Sequence, residues 1–166
     1  MAHEHTIMGI DPGLAAIGWA LLTIKGRNID SLAYGCIRTS TKESLPERLN
    51  IIHTKLRSLV KKFNPDSLAI EQLIFSTNQL TAIQVAQARG VCILSFAEMG
   101  VRIYEYSPLE IKRSVAGYGR ASKEQVQKMV MQLLQLKTPP TPSHASDAIA
   151  TALCHFFRHR LTYSLS

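Results

Sequence analysis

Apolar residues fall into two kinds of segment along this chain: short runs of strand length, and longer segments with an apolar residue at every third or fourth position. The first short run ends at Asp11, where Pro12 and Gly13 force a turn, and this pattern is typical of a buried strand whose carboxyl end opens to solvent. Strand-forming runs follow at residues 17–24 and 29–38. The short loop between them predicts an antiparallel meander of three strands.

The middle of the chain predicts a strand–helix–strand unit preceded by another helix. An apolar stripe over Leu45–Phe63 indicates a helix, and the run Ser67–Glu71 indicates a strand that again finishes on a carboxylate. Residues 77–99 predict a long helix with more apolar surface than one stripe requires, which indicates burial or an interface. Residues 101–106 predict a fifth strand.

Three further helices are predicted in the last third of the chain. The first two open with capping-box patterns, Ser107 with Glu110 and Ser122 with Gln125. The third helix is expected to begin with Ser143 as its N-cap and to end near residue 160. Together, these elements predict an α/β fold in which a five-stranded mixed sheet is flanked by helices.

The composition is that of an ordinary globular protein with an excess of basic charge. The 166 residues suit a single domain, and a hydrophobic fraction of 46% with 19% charged residues indicates neither disorder nor a membrane protein. Nineteen Lys and Arg against twelve Asp and Glu give a net charge of +7, which favours a polyanionic partner such as nucleic acid. We find no signal peptide and no apolar run of ~18 residues, so we expect a cytoplasmic protein with no membrane partner.

Two carboxylates, Asp11 and Glu71, end two strand-like runs, and they would lie side by side if those strands are neighbours in one sheet. Repulsion between them would raise one pKa, and Mg²⁺, which prefers oxygen ligands, would relieve it. On the last helix, His144 and Asp147 are three residues apart and share a face. These four residues suggest a site for two divalent cations that act on a phosphodiester. The spacing is equally compatible with a solvated or capping His144 and with an Asp147 that only favours the first helical turn.

Four short segments together resemble the bacterial RuvC family of Holliday-junction resolvases. They are residues 9–13 (GIDPG), 69–72 (AIEQ), 86–91 (AQARGV) and 143–148 (SHASDA). The resemblance implies a ribonuclease-H-like fold, with an antiparallel meander, then a βαβ unit, and a C-terminal helix that carries site residues. It also implies a homodimer that makes paired symmetric nicks in a four-way DNA junction with Mg²⁺ or Mn²⁺, in recombination and repair, beside branch-migration partners of the RuvA and RuvB type.

The resemblance also implies roles for individual residues of the site. Asp11, Glu71 and Asp147 match the acidic metal ligands of the family. His144 falls at the fourth position, which many members fill with Asp. An imidazole there could bind metal, stabilise developing charge or activate water.

Basic residues of this chain also match family positions that face DNA. Lys112 and Lys123 match lysines near the scissile phosphate, where a point charge could stabilise the transition state. Without the resemblance, two ordinary surface lysines would be the simpler interpretation. Further DNA contacts are predicted at Arg89, Arg113 and Arg120.

An aromatic residue occurs just after the Glu segment in the family. Phe75, four residues after Glu71, could stack on a base that opens at the crossover, but Ile74 precedes it, so either side chain could wedge the junction. A buried Phe75 is the alternative. The apolar helix over residues 82–91 is the candidate dimer interface, with core burial as its alternative.

Two other classes of function compete with the nuclease interpretation. A fragment of an actin- or hexokinase-type ATPase is one, because an Asp-x-Gly turn after a first strand also binds phosphate and Mg²⁺. The sequence has no second Gly-rich Asp turn, which such proteins need. A non-catalytic junction-binding module is the other, although an unused cluster of negative charge would weaken DNA binding.

Overall fold

The computed structural model describes residues 4–74 and 79–160, which form a mixed sheet with helices on both faces. Its five strands are β1 Glu4–Asp11, β2 Ala16–Lys25, β3 Asn28–Arg38, β4 Ser67–Glu71 and β5 Arg102–Tyr106. They lie in the order β3-β2-β1-β4-β5, with β1, β2 and β3 antiparallel and β1, β4 and β5 parallel. This arrangement confirms the predicted fold class, a meander followed by parallel strands.

Within the described residues, the helices lie close to the positions predicted from the apolar pattern. They are α1 Leu45–Phe63, α2 Gln79–Ala97, α3 Pro108–Ala116, α4 Lys123–Leu133 and α5 Ser143–His159. The capping boxes predicted at Ser107 and Ser122 are both present. The N-cap of α5 was predicted wrongly, because Pro142 takes the extended backbone of a cap and Ser143 is the first helical residue.

Each face of the sheet carries its own apolar core. On one face, α3, α4 and α5 pack over β-strand residues such as Ile7 and Leu22. On the other face, α1 and α2 pack over Met8 and Ile10. Successive residues of a strand point to opposite faces, so a strand that is covered on both sides needs apolar residues throughout. This explains why β1 and β4 appear in the sequence as continuous apolar runs.

Two glycines let α5 approach the sheet closely. Gly9 in β1 lies against the backbone of Ala148, and Gly18 in β2 lies against the carbonyl group of His144. A Cβ atom at Gly18 would overlap the carbonyl oxygen of His144. The first turn of α5 is therefore set directly against the sheet, beside the strand end that carries Asp11, whose partner in β2 is Gly18.

α2 buries one side and exposes the other. Its inner side packs into the core through Ala88, Cys92 and Phe96. Three apolar side chains, exposed by 55% to 78%, form what we call the outer face of α2: Leu80, Ile83 and Leu94. The window Leu80–Ala97 has a mean hydropathy of 1.3, enough by length and composition to cross a membrane, although core helices of soluble proteins pass the same test. Polar residues such as Gln84, Gln87 and Arg89 interrupt this window, so it is not a continuous apolar run.

Candidate active site

Asp11 and Glu71 lie at the same edge of the sheet. They end β1 and β4, which are parallel neighbours paired up to Ile10 and Ile70. Burial raises the pKa of Asp11, and the charge of Asp147 raises it further. Burial, with the charges of Asp11 and Asp147, also raises the pKa of Glu71 to about 7. Negative charge is therefore crowded at this edge.

α5 adds a carboxylate and an imidazole to the two strand ends. His144 Nδ1 lies 2.7 Å from Asp11 Oδ2, so His144 neither caps the helix nor stands free in solvent. One ligand-type atom from each of Asp11, His144 and Asp147 can be chosen so that all three lie within 4.8 Å of one another. Glu71 lies beside this compact group rather than within it, yet close enough for its charge to interact with Asp11 and Asp147.

A cleft joins these acidic residues to two lysines. One cavity of about 300 Å³ is lined by Glu71, Asp147 and the side chains of Lys112 and Lys123, among others. Lys123 Nζ donates a hydrogen bond to Asp147 Oδ2 at 2.6 Å. Burial alone would lower the pKa of Lys123, but this hydrogen bond and the charge of Asp147 raise it. The ammonium group therefore stays charged inside the site.

The other predicted DNA contacts do not all face the cleft. Ile74 is 62% exposed and lines a second cavity of about 220 Å³ next to Glu71, whereas Phe75 lies outside the described residues. Arg113 and Arg120 are exposed and line neither of these two cavities. The side chain of Arg89 is only 16% exposed, and it bonds to protein groups.

Two side-chain contacts of α5 were not predicted from the sequence. Thr151 Oγ1 donates to the carbonyl oxygen of Asp147 at 3.0 Å, and the hydroxyl of Tyr106 lies 2.7 Å from His155 Nδ1. The spacing of Asp147, Thr151 and His155 by four residues was a usable signal, because it places all three along one side of a helix. The pairing of His155 with Tyr106 gave no signal, since the two are far apart in sequence.

The raised pKa of Glu71 predicts a pH-dependent stability of the metal-free protein. The pKa of Glu71 is about 7 in the folded protein and 4.5 for the free group, so folding favours the protonated carboxyl group. The stability that this proton contributes is fully present below pH 4.5 and is lost as the pH rises through 7. Glu71→Gln removes the titration. In EDTA, we expect it to increase the free energy of unfolding relative to wild type at pH 8.5, by roughly 2 kcal/mol, and by much less at pH 5. Urea denaturation at the two pH values measures this, and an equal difference at both would contradict it.

Comparison with known proteins adds to this geometry. A family model described as "Crossover junction endodeoxyribonuclease RuvC" matches residues 7–155. The crossover junction endodeoxyribonuclease RuvC of Finegoldia magna is 47% identical over 157 residues, which cover 95% of this chain and 96% of that protein. The structure of T. thermophilus RuvC in complex with a Holliday junction substrate matches with a TM-score of 0.88 at 35% identity, covering 96% of this chain and 97% of that one.

A more distant solved structure shares the fold alone. The yeast mitochondrial Holliday junction resolvase matches with a TM-score of 0.62 at 15% identity, covering 96% of this chain and 83% of that one. The ribonuclease-H-like architecture predicted from the sequence is therefore confirmed by the strand order and by this comparison together.

Proposed function

We infer, because this chain belongs to the RuvC family of crossover junction endodeoxyribonucleases, that it resolves four-way (Holliday) DNA junctions in recombination and repair. The observation that supports this most directly is the meeting of Asp11, His144 and Asp147 within 4.8 Å at one edge of the sheet, with Glu71 beside them. Such a cluster suits hydrolysis of a phosphodiester, with water as the attacking group.

We propose that Asp11, Glu71, His144 and Asp147 hold two divalent cations. The donor set fits them, since carboxylate oxygens suit Mg²⁺ and the imidazole makes Mn²⁺ a workable substitute. The crowding of charge that raises the pKa values of Asp11 and Glu71 is what a cation would relieve. When bound, the ions would neutralise phosphate charge and lower the pKa of water.

The chain's own residues position the reacting groups. His144 hydrogen bonds to Asp11 and fixes the orientation of that carboxylate. The ammonium groups of Lys112 and Lys123 line the same cavity as Glu71 and Asp147, where they can stabilise charge that builds on the phosphate. Water attacks phosphorus and the 3′ oxygen leaves, which gives a 5′-phosphate and a 3′-hydroxyl.

A homodimer suits the two-fold symmetry of a four-way junction, and each subunit would cut one of two equivalent strands. We propose the outer face of α2 as the dimer interface, because its three large apolar side chains are exposed to solvent in the monomer. An exposed apolar patch of this kind marks a site of protein–protein contact. We further propose that residues 1–166 act as one nuclease domain in the bacterial cytoplasm, beside RuvA- and RuvB-type branch-migration proteins.

Three substrates offered side by side test the proposed function. With Mg²⁺, we expect paired symmetric nicks in a synthetic four-way junction and no cleavage of a plain duplex or of an RNA/DNA hybrid of the same sequence. Tight junction binding without any nick would favour the non-catalytic module instead. Hydrolysis of ATP without cleavage of DNA would favour the ATPase.

Lys123→Met is expected to slow cleavage at saturating junction by about 10²-fold, because the lost ammonium group lines the cavity beside Asp147. Junction affinity should change little, since the net charge of +7 falls by only one unit. The control is Lys128→Met, which removes the same charge from an exposed position on α4 that does not line that cavity. If Lys123→Met lowers junction affinity and cleavage rate by the same factor, Lys123 is only a general phosphate contact.

His144→Asp tests how the imidazole takes part. If His144 is a ligand, we expect cutting to persist with a shift in preference from Mn²⁺ towards Mg²⁺, because carboxylate is the harder donor. Rates in each metal, together with metal affinity from calorimetry, measure this. Loss of cutting with unchanged metal affinity would assign His144 to proton transfer instead.

A further inference from the structure

Arg89 makes contacts that a role in DNA binding does not explain. It projects from α2 towards the ends of two strands, where its Nε donates a hydrogen bond to the main-chain carbonyl oxygen of Glu71 at 3.0 Å. Its Nη2 group pairs with the carboxylate of Glu105 in β5. One guanidinium group thus connects α2, β4 and β5 at the strand end that carries Glu71.

The peptide group that follows Glu71 is held at both of its polar atoms. Its carbonyl oxygen accepts from Arg89, and its N–H, which belongs to Gln72, donates to the carbonyl oxygen of Tyr106 at 2.8 Å. The pairing of β4 with β1 stops one residue earlier, at Ile70. At Glu71, β4 is therefore no longer paired with β1. The side chain of Arg89, from α2, binds the carbonyl oxygen of Glu71 instead.

We propose that Arg89 is a positioning residue, which fixes the backbone of Glu71 and so directs that carboxylate towards Asp11 and Asp147. Glu105 holds the guanidinium group in the orientation that this requires. The planar fork of arginine suits the task, since it donates from Nε and Nη2 in fixed directions to two acceptors. Glu105 also neutralises the charge of Arg89, so the guanidinium group would attract a phosphate only weakly. The inference rests on the proposed function, because it takes Glu71 as part of the metal centre.

Arg89→Lys and Glu105→Gln separate positioning from DNA contact. Lysine keeps the charge but loses the fork, and glutamine removes the charge that orients it. If Arg89 positions Glu71, both variants should cut a saturating junction about 10-fold to 100-fold more slowly, with the Kd for the junction within about 2-fold of wild type. If Arg89 instead contacts phosphate, Lys should preserve cutting, and Glu105→Gln should tighten junction binding without slowing cleavage. That second pattern would overturn the proposal.

A matched pair of substitutions far from the site controls for general loss of an ion pair. Arg57 on α1 pairs with Glu98 at 3.1 Å, and neither residue lines the cavities around Glu71. Arg57→Lys and Glu98→Gln make the same chemical changes as the test variants. We expect both controls to cut at the wild-type rate, and an equal slowing in the controls would overturn the positioning role.

Two measurements on the free protein do not depend on cleavage. Amide exchange at Gln72, followed by NMR, should become faster in Arg89→Lys and Glu105→Gln, and the Mn²⁺ concentration for half-saturation should rise several-fold, while Tm stays close to wild type. Unchanged exchange and unchanged Mn²⁺ affinity in both variants would overturn the proposal. If wild type fails to cut any junction, the proposed function fails by itself, and these two measurements still decide whether Arg89 fixes the strand end. Glu105 is 46% exposed, so its amide variant should fold.

Discussion

Asp11→Asn is expected to reduce junction cleavage by more than about 100-fold, a larger loss than the 10-fold to 100-fold typical of residues that only support a metal ligand. Asp11 is 16% exposed at the end of a central strand, and it accepts from His144 while facing Asp147. The amide keeps the shape of the side chain but removes the charge that a cation would need. Junction binding should persist, because the basic surface is unchanged.

Single-turnover cleavage and a gel-shift titration of the same junction measure the two effects separately. Asp30→Asn is the matched control, since Asp30 is an exposed aspartate that pairs with Lys25 at the opposite end of the strands. The control should cut and bind as wild type does. Undiminished cutting by Asp11→Asn would remove Asp11 from the reaction and, with it, the proposed metal centre.

Gly18→Ala is expected to destabilise the protein by about 3 kcal/mol, at the upper end for overpacking, because the new methyl group would meet backbone rather than a movable side chain. The carbonyl group of His144 occupies that space, so α5 must move away from β2 for the variant to fold. Such a movement would also separate His144 from Asp11, and cleavage should fall together with stability.

Urea denaturation and cleavage of the refolded variant measure these effects. Gly90→Ala provides the control, because Gly90 lies in α2 with open space around its missing Cβ atom. An alanine at such a helical position should be neutral or stabilising by roughly 0.5 to 1 kcal/mol. A Gly18→Ala variant that unfolds at the wild-type urea concentration would show that α5 does not need this close approach.

The strand ends of the site could be predicted from sequence because local rules govern them. Asp11 closes an apolar run and is followed by Pro12 and Gly13, and Glu71 closes a second run of the same kind. The residues alone left open whether the two strands are neighbours, and the register of β1 with β4 shows that they are parallel neighbours. The sequence also identified the helix that carries His144 and Asp147.

Tertiary packing decided the features that the sequence did not predict. The sequence did not predict the contacts of Arg89, whose side chain bonds to the main-chain carbonyl oxygen of Glu71 and to the carboxylate of Glu105. The N-cap of α5 was misplaced by one residue, since Pro142 supplies the extended backbone without a side-chain bond. The contacts of Arg89 depend on neighbours that are distant along the chain, which a local pattern does not reveal.

The distance of α5 from the sheet is set at Gly9 and Gly18, two positions that have no side chain. Substitution by alanine cuts back almost every other side chain, but at these two positions it adds a methyl group. Truncation of side chains therefore tests the proposed site residues Asp11, Glu71 and Asp147 directly, whereas the two glycines that set the position of α5 are tested only by adding atoms. In this protein the position of His144 beside Asp11 depends on the absence of a side chain at Gly18, and substitutions that add atoms there, such as Gly18→Ala, test it.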